Sequence, residues 1–198
     1  MTNNKELFLR WTKYLWVAQI VALVSVIVAS ISFEGIDLGW TNHIVMLALA
    51  YILYQLAPIN ARYRKAAVFT GISIVLSILV KFVSVSVLTF AVSICSLIAI
   101  YQECSAHSEI LVGIDDKLAR KWHSLFNWQI VGGLILGVLV APTIILVAVY
   151  FPLDANLLAT ITLALITGFD TILRLVYLSY LKRMRKLCEA IPENVNMD

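Results

Sequence analysis

A chain of 198 residues that is 61% apolar and 14% charged cannot bury its greasy surface in a water-soluble core. Ordinary soluble domains hold roughly 45–50% and about 25% of the same two classes. The net charge of +3 is split among four separate basic patches, which is no nucleic-acid footprint and instead reports membrane orientation. Three cysteines, Cys95, Cys104 and Cys188, are too few and too scattered for a disulfide framework.

The first apolar run, 15–33, follows Lys5, Arg10 and Lys13. It outlasts a cleavable signal core of about 7–15 residues, so it reads as an uncleaved span. A hydrocarbon layer about 30 Å thick takes roughly 20 residues of helix. The run 40–57 fits one crossing, 66–101 fits two (66–82 and 86–101), and 128–150 and 157–180 complete the set. Aromatic residues stand where interfacial anchors belong: Trp11, Tyr14, Trp16, Trp40, Tyr101, Trp128, Tyr150, Tyr177 and Tyr180.

Charge decides the threading. Lys5, Arg10, Lys13; Arg62, Arg64, Lys65; Lys117, Arg120, Lys121; and Lys182, Arg183, Arg185, Lys186 fall on alternate connections. The other connections hold Lys81 with Glu34, Asp37 and Asp154. Cytoplasmic segments collect Lys and Arg. The expectation is an all-α integral membrane protein, a single transmembrane domain over 1–198. Its six-helix bundle stands in the lipid bilayer of the cell membrane with both termini cytoplasmic.

Lipid gives helices no hydrophobic reason to associate, so small residues and polar contacts must hold the bundle. Ala18, Ala22, Ser25, Ala29 and Ser32 form one small-residue face on the first span. The fifth span carries Gly132, Gly133 and Gly137, a Gly-x-x-x-Gly at the last two, and then Pro142. Close packing with a bend is expected there, or else a dimer seam or a moving gate. Between spans four and five, Gly113 is the natural break and Asp115 the natural helix cap. Residues 102–112 and 116–127 then form two arms of almost equal length, a cytoplasmic hairpin whose competitor is a helix lying flat on the membrane. Ile110, Leu111, Ile114, Leu118, Trp122 and Leu125 supply its apolar side, with Asp116 and Arg120 expected to pair on the wet side. Leu181, Met184, Leu187 and Ile191 extend the last helix as far as Pro192, completing a cytoplasmic platform.

Asp170 is the foremost candidate for chemistry. It lies about 15 Å from the helix exit at Tyr180, near mid-membrane, where an ionised Asp costs roughly 2.5–3.5 kcal/mol. Arg174 follows at i+4, a favourable pairing geometry, and Thr167 and Thr171 are placed to add hydrogen bonds. Such a pair either fixes helix rotation or forms a solute, proton or ion site. Gln19, Gln55 and Gln129 lie toward the cytoplasmic ends of their spans, as interfacial or interhelical hydrogen-bonders. Glu103, Cys104, His107 and His123 have no recognised metal-ligand spacing, so no metal or cofactor is expected. His43 is expected to be solvated.

Asp115-Asp116-Lys117-Leu118-Ala119-Arg120 resembles part of the CDP-alcohol phosphotransferase signature, but Val112, Gln129, Gly133 and Gly137 stand where that family keeps required Asp and Gly residues. Ala18-Gln19-Ile20-Val21-Ala22 resembles the Ala-x-x-x-Ala face of substrate-binding subunits of energy-coupling-factor vitamin transporters. That resemblance implies partner docking by the first helix. With no intact catalytic motif, the expected function is a small-solute or ion transport or solute-binding membrane subunit. The alternative is a non-catalytic interaction or regulatory subunit that docks a protein partner at its cytoplasmic face.

Overall fold

Long apolar runs leave backbone polar groups that, away from water, a helix satisfies from within its own segment. The computed structural model describes residues 3–30, 39–83, 86–136, 142–143, 146, 150 and 155–190. Those residues build α1 (Asn3–Ser30), α2 (Gly39–Leu56), α3 (Ala61–Phe82), α4 (Ser86–Leu111), α5 (Asp116–Leu134) and α6 (Ala155–Ala190), with no strand among them. Helices α1, α3, α4 and α6 are each long and apolar enough to cross a membrane. Helix α2 is shorter, at 18 residues, and the expected span 128–150 lies partly outside the described residues, as do Gly137, Ser32, Ile191 and Pro192. The outer surface is apolar: Phe82, Val87 and Phe90 are 75%, 71% and 68% exposed. An exterior of that kind is stable against lipid and not against water.

Consecutive helices pack against one another, and α6 closes on α1, so the bundle is a ring in sequence order. Cross-contacts show that neighbours run antiparallel. Trp11 at the start of α1 meets Tyr51 near the end of α2, and Arg62 at the start of α3 meets Glu109 near the end of α4. Lys5 of α1 donates to the Glu189 carbonyl of α6 at 3.3 Å, so the first and last helices end side by side.

The basic end holds the tightest packing. Phe8, Leu15, Tyr63, Leu111, Leu118, Trp122, Leu181 and Met184 are all essentially buried there. Helices α4 and α5 run through 102–111 and 116–127 without a break and are joined by the turn at 112–115. Gly113 turns the chain at φ +80°, a conformation in which a side chain crowds the backbone. Asp115 caps α5 by accepting the Leu118 N–H at 2.9 Å. Ser108 ties the arms together by donating to the Ala119 carbonyl. Asn60 caps α3 through the Arg62 N–H and donates to Glu109, which also receives Arg62 at 2.6 Å.

Several local expectations are corrected. The ion pair at the hairpin tip is Asp115–Arg183 at 2.8 Å, while Asp116 accepts the Gly113 N–H. That Leu118 N–H bond, reinforced by Arg183, holds the Asp115 carboxyl below the usual carboxylate range. Tyr177 is not an interfacial anchor but a buried residue. His43 is not simply solvated, because its Nε2 lies 3.2 Å from the Ser77 hydroxyl across the α2–α3 interface. Gly133 faces open space, and the glycine that permits close approach is Gly132, beneath the Phe169 ring. Ala22 is buried. Ala18 lies in an open groove between α1 and α2 with Arg10, Trp11 and Tyr51.

Candidate functional site

A ring of six helices surrounds space that side chains either fill or leave open. Here they leave a cavity of about 130 Å³, and every one of the six helices contributes to its wall. That volume holds several waters or a small solute. Leucines from α2 and α6 make much of the wall apolar, and its polar side chains meet in pairs: Asp170 with Arg174, Ser73 with Ser96, and Glu103 with Tyr177.

Asp170 and Arg174 meet on this wall. Arg174 Nε donates to Asp170 Oδ2 at 2.7 Å, one turn apart on α6. The second acceptor for the guanidinium is Gln19 of α1, with Nη1 to Oε1 at 3.4 Å. The expected helpers, Thr167 and Thr171, are half-buried and lie outside the cavity lining. Gln19 and Gln129 both line the cavity, and the Arg174 contact makes Gln19 an interhelical hydrogen-bonder. Opposite, Ser73 of α3 and Ser96 of α4 share a hydrogen bond of 2.8 Å. The side chains of Asp170 and Arg174 keep 33% and 27% of their surface open, so neither is sealed into a core. Pro142 is exposed and does not line the cavity.

Toward the basic end the cavity is lined by Glu103 and Tyr177. The Tyr177 hydroxyl donates to Glu103 Oε1 at 2.5 Å and lies 3.2 Å from His107 Nε2. His107 Nδ1 in turn lies 2.8 Å from the Tyr63 hydroxyl. The Trp122 ring covers the imidazole, with centroids 4.4 Å apart. Both tyrosines and the histidine are buried, and Glu103 is 8% exposed. Among the described residues no three His, Cys, Asp or Glu side chains are grouped as metal ligands.

Tyr63, Glu103, His107 and Tyr177 are not legible as one unit along the chain, because they come from three helices. One signal is present in the sequence. Residues 103–108 read Glu-Cys-Ser-Ala-His-Ser, small or polar at each position, and all six are buried. A helix segment buried all round needs small residues where neighbours approach and partners for its polar groups. No family model, curated protein or solved structure matches this chain.

Proposed function

We propose that this chain is a six-span protein of the cell membrane with both termini in the cytoplasm. We further propose that its central cavity is the binding site of a small-solute or ion transport subunit. The observation that carries the proposal is the convergence of all six helices on one cavity with Asp170, Arg174 and Gln19 on its wall. Charged groups inside a membrane bundle face the interior or a hydrated space and mark solute and ion paths. In this reading Asp170 accepts a cation or a donor group of the solute, and Arg174 holds the carboxylate in place. The Lys5–Glu189 contact supports an even number of crossings, and the thirteen cations gathered at that end support its cytoplasmic placement.

A partner-docking platform has less to offer, because the apolar stripe it would use is turned inward. Leu111, Leu118, Trp122, Leu181 and Met184 are buried within this chain.

The test is Asp170→Asn in protein purified in native nanodiscs, followed by mass spectrometry of retained small molecules. Loss of a molecule that the wild type retains, from a variant that still inserts and stays monodisperse, is the expected result. Equal retention would refute the assignment. The threading is tested separately with tags at each end, which should react after permeabilisation and not in intact cells.

A further inference from the structure

The hydrogen bonds between Tyr63 and the cavity have a single direction. Tyr177 owns one hydroxyl hydrogen and gives it to Glu103. Toward His107 Nε2 it is therefore an acceptor, so a neutral His107 carries its hydrogen on Nε2. The Nδ1 lone pair is then the acceptor for the Tyr63 O–H. The order Tyr63, His107, Tyr177, Glu103 is thus a chain of three hydrogen bonds, of 2.8, 3.2 and 2.5 Å, all donating toward the cavity. It joins α3, α4 and α6. Its inner end lines the cavity. Its outer end is Tyr63 in the first turn of α3, itself fully buried and separated from solvent by a neighbourhood that includes Arg62, whose side chain is 34% exposed at the basic end of the bundle.

We infer that Tyr63, His107, Tyr177 and Glu103 form a proton relay between the basic end of the protein and its central cavity. In one passage a hydronium ion admitted past Arg62 to the buried hydroxyl gives its proton to the Tyr63 oxygen as that hydroxyl's hydrogen moves to Nδ1. The Nε2 hydrogen moves to the Tyr177 oxygen, and the hydrogen already on Tyr177 moves to Glu103 Oε1. The sum is hydronium plus carboxylate giving water plus carboxylic acid. His107 is left as the other tautomer, and the return passage restores it. The titratable groups facing His107 are Glu103 on its own helix, Tyr63 on α3 and Tyr177 on α6, while α5 presents the Trp122 ring. Cys104 and Cys188 lie within electrostatic range of Tyr63. Among the described residues none of these neighbours is Lys or Arg, so a proton on the imidazole meets no cationic competitor.

The relay deepens the proposed solute site and rests on that cavity being hydrated, whichever solute it holds. It assigns the coupling ion, a proton delivered to Glu103. The test is a downward pH jump on full-length protein in nanodiscs without added solute, followed by time-resolved infrared spectroscopy. A carboxylic-acid band should grow in the wild type and be missing in Glu103→Gln. Tyr63→Phe removes the outermost hydroxyl, so the band should reach its full amplitude roughly tenfold more slowly or worse. A structural role alone would leave that rate unchanged. Absence of the band in the wild type, or equal rates in wild type and Tyr63→Phe, would overturn the relay. Should Tyr63→Phe fail to fold, the wild type in heavy water decides. A clear slowing upholds transfer along the chain, and no slowing overturns it. Because no solute is present, a failed Asp170→Asn retention experiment leaves this result standing, and the reverse also holds.

Discussion

Gly132 of α5 lies directly beneath the Phe169 ring of α6, so close that an added Cβ would fall 1.8 Å from Cζ. Phe169 immediately precedes Asp170, and the contact therefore sets the height and rotation of the cavity's charged wall. Gly132→Ala should force the ring aside or part the helices, costing about 1–3 kcal/mol. Gly133→Ala meets nothing within 4 Å and should be neutral, or stabilising by up to about 1 kcal/mol through helix propensity. Unfolding in a detergent series compares the pair directly, and equal losses would refute the assignment of the close approach to Gly132.

The Asp170–Arg174 pair should behave as one unit. Removing either charge leaves the other poorly compensated in a low-dielectric wall, whereas removing both does not. Asp170→Asn with Arg174→Gln should therefore cost less than the two single changes added together, by about 0.5–3 kcal/mol of coupling. An additive double mutant would show that the two groups do not depend on one another.

Asp115 gives a pH dependence whose sign is fixed. Its carboxyl is held low by the Leu118 N–H and by Arg183. The stabilisation it supplies is present above the unfolded value of about 3.9 and is lost as pH falls through the lower folded value. Asp115→Asn keeps a capping oxygen and loses the Arg183 pair. Its thermal midpoint should lie below that of the wild type near neutral pH and converge on it in acid. A gap that persists in acid would place the effect elsewhere.

Trp122 anchors the hairpin. Its ring is fully buried against His107, Tyr177 and Tyr180. Trp122→Ala should cost about 3–5 kcal/mol and speed proteolysis between 102 and 127. Gly113→Ala, strained at φ +80°, should cost about 1–2 kcal/mol. A protease-resistant Trp122→Ala would mean that the hairpin holds without its core.

The local rules of the chain are written in its residues. Apolar run length and the absence of proline make helices, Gly113 and Asp115 place the hairpin turn, and the four-residue spacing of Asp170 and Arg174 brings them together. Each depends on neighbours within one or two turns, which is why sequence alone determines it. What meets across the ring depends on the rotation of six helices at once, and no spacing along the chain encodes that. Tertiary packing decided that Gln19 is the second partner of Arg174, and that Gly132, not Gly133, lies under Phe169. It also decided the joining of Tyr63, His107, Tyr177 and Glu103, whose helices meet only once the ring has closed.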